Sequence, residues 1–238
     1  MDDMQALWPG GPLFRQAEHF RLSTDSVLLA DFIRASGARR GVDLGCGSGI
    51  LALLLLTRCE ALRMTGLELL PEAAALAAEN LAANGLSERG EIRCGDIRDC
   101  RALFPAGSFD LAAANPPYFP LSSGPVSPDP GRAAARSELS CTLDELCAAA
   151  AWLLPPGGSF SLVYKPERLS ELFVCLTAHG LEPKRLRLVC GRVESPPSLA
   201  LVESRRGGRP GLSVESGLIL CGADGTPSAE QRRIYHLT

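Results

Sequence analysis

The sequence predicts an α/β protein: a seven-stranded, mostly parallel sheet with helices on both faces and an antiparallel C-terminal finish. Three observations carry this. From Gly41 onward, short apolar runs alternate with helical periods, the pattern of a parallel sheet covered on both faces. The first of those runs passes through a glycine-rich turn, "LGCGSG", straight into a helical stretch. After Leu181 the helical periods stop and only strand-like segments follow. The 238 residues suit one large α/β domain better than two. The expected organisation is an N-terminal arm and capping helix over 1–40 and the sheet domain over 41–238, a single domain overall.

The elements can be justified in order. "STDSVLLADFIRASG" reads as a helix with a Ser/Thr/Asp cap and a glycine stop. "GVDLGC" is the first strand of the sheet and "SGILALLLLTRC" the helix behind it. "RMTGLEL" is the next strand, followed by a helix from Pro71 to Asn84, with proline in its first turn and Gly85 just past its end. Strands "EIRCGD" and "FDLAAAN", helix "TLDELCAAAAWLL", strand "GSFSLVY" and helix "PERLSELFVCLTAHG" continue the alternation. The finish is "PKRLRLVC", "SLALVES" and "GLSVESGLILC", with a turn at "GGRPG". Residues 120–137 are irregular, with four prolines, four serines and two glycines. A connection that long is either a disordered insertion or a substrate lid, and its place directly after "NPPYF" favours the lid.

Composition excludes several classes. With 46% apolar and 21% charged residues the chain is too apolar to be disordered. The acidic start Met1-Asp-Asp-Met4 lacks a secretory signal, and the longest apolar run, Ile50 to Leu56, is far too short to span a bilayer. Nine cysteines without a C-x-x-C pair suit neither a disulfide framework nor a zinc site, and read as reduced thiols of a cytoplasmic protein. No metal is expected, and the three histidines are scattered, His179 reading as a helix terminus. The net charge of −3 is uneven: between Leu181 and Pro210 seven Lys/Arg face three Glu, a basic stretch compatible with a phosphate backbone.

The residues able to carry chemistry stand at predicted strand ends. Asp43-Leu-Gly45-Cys46-Gly47-Ser-Gly49 has the glycines that let a backbone turn tightly and approach a ligand, and it leads into a helix start. Its spacing is G-x-G-x-G, unlike the nicotinamide fingerprint. A carboxylate at Asp43 can attract an ammonium. Glu68, nineteen residues after Gly49, can accept both hydroxyls of a ribose, and Asp96, at the end of the third strand, can accept from an adenine amino group. The fourth strand delivers Asn115-Pro116-Pro117-Tyr118. Proline ends a strand, so the Asn115 side-chain oxygen and the Pro116 carbonyl become two fixed acceptors beside an aromatic face at Tyr118. A planar amine could donate both its hydrogens to that pair.

Together, "VDLGCGSG", Glu68, Asp96 and "NPPY" resemble the class I, Rossmann-like S-adenosylmethionine-dependent methyltransferases that act on planar nitrogens. More narrowly, Gln16, Phe20, Thr24 to Phe32 and the C-terminal "LVESRRGGRPGL" resemble the bacterial tRNA (adenine-N6)-methyltransferases, over roughly Phe14 to Glu230. The resemblance implies S-adenosylmethionine as cofactor and a valine tRNA as substrate, modified at a purine beside the anticodon. Residues 41–238 would then form the methyltransferase domain. Asp43 and Gly45, Cys46, Gly47 and Gly49 would hold the methionine part, with Thr24 and Asp25 near it. Glu68 and the adjoining Leu69 would meet the ribose, Asp96 and Ile97 the adenine, and Asn115 both cofactor and substrate. Arg136, Arg205, Arg206 and Arg209 are the candidate RNA contacts. The sequence departs from the family at "ESPPSLALVE", which lacks basic and amide residues, and at Ser137, where a histidine is common.

Three other readings fit parts of this pattern. A protein glutamine N5-methyltransferase could use the same acceptor pair, but only about forty residues precede the glycine motif, where those enzymes carry a helical domain. A DNA adenine methyltransferase would need a target-recognition domain. A non-catalytic RNA-binding module on this fold would have no use for both Asn115 and the glycine loop.

Overall fold

The computed structural model describes residues 4–16, 24–116 and 141–237. It opens with a small antiparallel hairpin, β1 (Gln5–Ala6) and β2 (Leu13–Phe14), which the sequence reading did not anticipate. Helix α1 (Thr24–Phe32) follows, and then the expected alternation: β3 (Arg40–Leu44), α2 (Ile50–Arg58), β4 (Arg63–Glu68), α3 (Pro71–Ala83), β5 (Gly90–Cys94), the short α4 (Cys100–Leu103) and β6 (Leu111–Ala114). Beyond residue 141 come α5 (Leu143–Leu153), β7 (Ser159–Tyr164), α6 (Leu169–Ala178), β8 (Leu181–Arg192) and β9 (Pro197–Arg206). The chain finishes with β10 (Ser213–Val214), β11 (Leu218–Cys221) and α7 (Ala229–Tyr235).

Seven strands follow the spatial order β5-β4-β3-β6-β7-β9-β8, and the last expected segment, "GLSVESGLILC", splits into β10 and β11, which extend the sheet to nine by pairing one after the other along the outer edge of β8. The antiparallel finish is confined to β9, which opposes both β7 and β8. The segment "GLSVESGLILC" is therefore not antiparallel; its two halves run parallel to β8. The reason is directional. β9 lies between β7 and β8 and ends at the edge where β8 begins, so chain laid outside β8 starts from that edge and runs with it.

Burial explains why β6 is a continuous apolar run and not an alternating one. Leu111 and Ala113 face a core formed with α1, α2 and α7, whereas Ala112 and Ala114 face one formed with α4, α5 and α6. A strand covered on both faces has no polar side. Helix α5 starts at a complete capping box, Thr142 with Glu145. At the other end of the chain, α7 is fastened to α1 by Arg233, whose guanidinium meets the Asp31 carboxylate at 2.7 and 2.9 Å. The β1–β2 hairpin reaches the same place, where Trp8 stacks on His236 with ring centroids 3.9 Å apart.

Candidate active site

Because β3, β4, β5 and β6 are parallel and in register, their C-terminal ends share one edge. That brings Asp43, the glycine loop, Glu68, Asp96 and Asn115 together from separate stretches of sequence. The loop crosses in front of β4, the Gly45 and Cys46 amides donating to the Leu67 carbonyl at 2.8 and 3.1 Å. Gly45, Gly47 and Gly49 all have φ in the left-handed region, at 75°, 54° and 80°. Gly49 has a second requirement, since a Cβ there would lie 2.9 Å from the Ala77 Cβ of α3.

Glu68 organises the turn around it. Its Oε2 accepts from the Gly47 amide at 2.8 Å and its Oε1 from the Leu70 amide at 3.0 Å, so one carboxylate holds the glycine loop and the entry to α3. Leu69, next in the chain, accepts from the Cys94 thiol at 3.6 Å, which ties the ends of β4 and β5. Asp43 is treated differently. It is 2% exposed, and its Oδ2 has no hydrogen-bond partner among the described residues. Burial, reinforced by the Glu68 charge, pushes its carboxyl from 3.8 up to about 8. A buried carboxyl with an orphan oxygen fits an ammonium arriving at that spot. Burial likewise holds the Cys46 thiol well above its ordinary value, with Asp43 and Glu68 adding to the effect, so Cys46 is no nucleophile.

Asp96 follows β5 and caps the 3₁₀ turn Ile97–Asp99, accepting from the Arg98 amide at 2.8 Å. The Arg98 side chain pairs with the same carboxylate, with Nε 2.9 Å from Oδ2, and hydrogen bonding from Arg98 keeps the Asp96 carboxyl below its ordinary value. Ile97 lies over the loop, its Cδ1 3.9 Å from where a Cβ on Gly45 would stand.

Asn115 leaves β6 at the same edge, and its amide nitrogen donates to Ser26 Oγ at 2.9 Å. That bond ties the Asn115 side chain to the first turn of α1. Thr24 and Asp25 stand at the start of α1, the Thr24 hydroxyl 3.3 Å from Asp25 Oδ1, and the Tyr235 hydroxyl of α7 donates to the Thr24 carbonyl at 3.3 Å. Pro116 follows directly. Pro117, Tyr118, Arg136 and the irregular segment 120–137 lie outside the described residues.

Two polar residues that sequence reasoning missed belong to this group. Ser26 is buried in α1 beside Leu29 and Ala30, and Asn80 is fully buried in α3 between Ala77 and Leu81. The signal was available in each case, because a polar side chain on the inward face of an apolar helix needs a partner.

Arg205, Arg206 and Arg209 are not brought to this edge. β9 is antiparallel, so Arg205 pairs in register with Ser159, the first residue of β7, at the opposite end of the sheet. Arg206 donates to the His179 carbonyl at 3.0 Å, and the Arg209 carbonyl accepts from Lys184 Nζ at 3.0 Å. The basic stretch is also partly neutralised. Arg185 is buried between Glu203 and Glu215, at 2.5 and 2.8 Å, and Arg187 meets Glu230 at 2.8 Å. Glu215 and Glu230 lie beyond Pro210, which is why a local count of charges overstated the patch.

All nine cysteines are free. The described residues place one mixed cluster, Asp144, Cys175 and His179, where α5 meets α6, and none of the three belongs to the strand-end group. His179 ends α6, as expected, with its Nε2 2.8 Å from Asp144 Oδ1. Among the described residues no helix is long and apolar enough to cross a membrane.

Residues 19–173, which contain the whole strand-end group, match the methyltransferase small domain family. This chain belongs to that family. The methyltransferase is 35% identical over 191 residues to the tRNA1(Val) (adenine(37)-N6)-methyltransferase of Porphyromonas gingivalis, a match covering 78% of this chain and 74% of that one. It is 34% identical over 212 residues to the protein of the same name from Tolumonas auensis, covering 88% and 86%. Among solved structures, a predicted O-methyltransferase from Agrobacterium tumefaciens superposes with a TM-score of 0.74 at 21% identity, covering 90% of this chain and 96% of that one. That likeness is one of fold.

Proposed function

We propose that this methyltransferase transfers a methyl group from S-adenosylmethionine to the exocyclic N6 of an adenine in a tRNA, in the cytoplasm. The observation that carries the reading is the single sheet edge that gathers the buried Asp43 carboxyl with its orphan Oδ2, the glycine loop held by Glu68, and Asn115 tied to Ser26 at 2.9 Å. The names of the relatives support tRNA over DNA or a protein glutamine as the substrate. We read the whole chain as one catalytic domain, since α1 shares its core with α2 and with the sheet.

In this reading Asp43 receives the amino-acid ammonium of the cofactor, whose arrival satisfies the orphan Oδ2 and favours the charged carboxylate. The glycine loop, with Cys46, lies against the methionine part, and Thr24 and Asp25 stand beside it. Glu68 and Leu69 take the ribose, Asp96 and Ile97 the adenine. When bound, the cofactor supplies a strongly electrophilic methyl group, so the chain needs neither a metal nor a covalent nucleophile. Asn115 Oδ1 and the Pro116 carbonyl accept the two N6 hydrogens of the target adenine, and this draws the nitrogen toward tetrahedral geometry. Pro117 stiffens the turn and Tyr118 supplies a face for the unstacked base.

The test is to incubate the purified protein with labelled S-adenosylmethionine and separate tRNA, DNA and release-factor pools. Label is expected in tRNA, at N6-methyladenine, and label confined to protein would overturn the reading. Asn115→Ala is expected to lower turnover by about 100-fold or more while cofactor still binds. Full turnover in that variant would remove the acceptor mechanism.

A further inference from the structure

Asn80 is a fully buried amide in a helix whose inward face is otherwise Ala and Leu. Its hydrogen-bonding groups are used in three directions. Oδ1 accepts from the Arg15 amide at 2.8 Å, while Nδ2 donates to the Arg15 carbonyl at 3.1 Å and to the Ser48 carbonyl at 3.0 Å. One turn further on, Asn84 repeats the first half of the pattern, accepting from the Leu13 amide at 2.8 Å and donating to the Leu13 carbonyl at 2.7 Å. Residues two apart in an extended chain turn the same backbone edge to one side, so two side-chain amides four apart, one in α3 and one at its C-cap, stand in for a neighbouring strand. The Arg15 guanidinium also pairs with Glu79.

Only the Ser48 bond reaches beyond the arm, and it reaches the middle of the glycine loop. A loop with three left-handed glycines has much backbone freedom to lose on ordering. Its first half is held by the backbone of β4, the Gly45 and Cys46 amides on the Leu67 carbonyl, and its second half by two side chains: Glu68 on the Gly47 amide and Asn80 on the Ser48 carbonyl. In the cofactor reading above, on which this inference rests, Glu68 must also serve the ribose. Of the two side-chain anchors, the one that the ribose does not share is Asn80.

We propose that Asn80 is a positioning residue that couples the N-terminal arm to the glycine loop, so that docking of residues 13–15 on α3 sets the loop's geometry for the cofactor. Residues 13–15 then belong to the cofactor site through Asn80.

Two variants test this in the full chain: Asn80→Leu, which removes both connections, and Asn84→Leu, which loosens the arm without touching the loop and serves if the first fails to fold. The readouts are hydrogen exchange, resolved to the arm, the loop and β6–β7, and the dissociation constant for S-adenosylmethionine. Faster exchange is expected in the arm and the loop of both variants, with β6–β7 unchanged. Cofactor binding is expected to weaken about tenfold for Asn80→Leu and about threefold for Asn84→Leu. An arm that exchanges faster while loop exchange and affinity stay at wild-type values would overturn the coupling. Exchange rising equally in β6–β7 would also overturn it, by showing a general loss of stability. A wild-type protein that binds no S-adenosylmethionine, yet whose loop exchange still follows the arm, would overturn the cofactor reading and leave the coupling standing.

Discussion

Two buried carboxylates in one sheet, Asp43 on β3 and Glu203 on β9, are treated in opposite ways. They are 2% and 3% exposed. Glu203 is enclosed by cations: Arg185 lies 2.5 Å away, Arg205 lies 3.2 Å away, and Arg185 is held in turn by Glu215 and by the Phe32 ring 4.2 Å beneath it. Asp43 has an oxygen without a partner among the described residues, and the charge that acts on it is that of another carboxylate, Glu68. The difference separates structure from function. A buried charge whose partners are all supplied by the fold is a packing element, whereas a buried acid left incomplete marks a place that something else completes.

The largest expected effect comes from breaking the complete group. Glu203→Ala leaves Arg185 buried with one of its two carboxylates, and is expected to destabilise the protein by ~3–5 kcal/mol. Urea unfolding measures it. A loss under about 1 kcal/mol would mean that Glu215 alone satisfies Arg185, and the contrast with Asp43 would fail.

Changing the incomplete group should act in the other direction. Between its ordinary 3.8 and the raised value of about 8, the folded chain keeps a proton on Asp43 that the unfolded chain has released. Stability of the cofactor-free protein should therefore fall as pH rises through that window. Asp43→Asn removes this dependence and is expected to gain ~2 kcal/mol at pH 8 while losing cofactor affinity. Unfolding midpoints from pH 5 to 8, for wild type and variant, check it. A variant with the wild-type slope, or with wild-type affinity, would show that Asp43 is an ordinary core residue.

The same contrast marks how far the sequence could be read. Strand and helix alternation from β3 to β7 was legible because it depends on local periodicity, and so were the positions of Asp43, Glu68, Asp96 and Asn115, because each stands at or just beyond the C-terminal end of a strand. What escaped depends on contacts between distant segments. Arg185 looked like part of a basic patch because Glu215, thirty residues on, gives no local sign of pairing with it. Arg205 looked close to the site because sequence does not say which end of β9 points there. Ser26 and Asn80 were missed because their partners are 89 and 65 residues away. The parallel course of β10 and β11 follows from where β9 ends, which only the assembled sheet defines.

The mildest change sharpens the comparison most. Glu215 is the outer member of the complete group, and hydrogen bonding from Arg185 holds its carboxyl below the ordinary 4.5. A depressed acid contributes stability above its unfolded value and loses it as pH falls through the folded one, the reverse of Asp43. Glu215→Gln is expected to cost about 1 kcal/mol at neutral pH, because Glu203 still faces Arg185. It should also flatten the acid limb of the stability profile below about pH 4.5 without altering the slope between pH 5 and 8. Paired with Asp43→Asn, which should flatten only the upper window, it gives two single-atom changes acting on opposite limbs of one curve. If both variants flattened the same limb, the division between a completed and an awaiting carboxylate would be wrong.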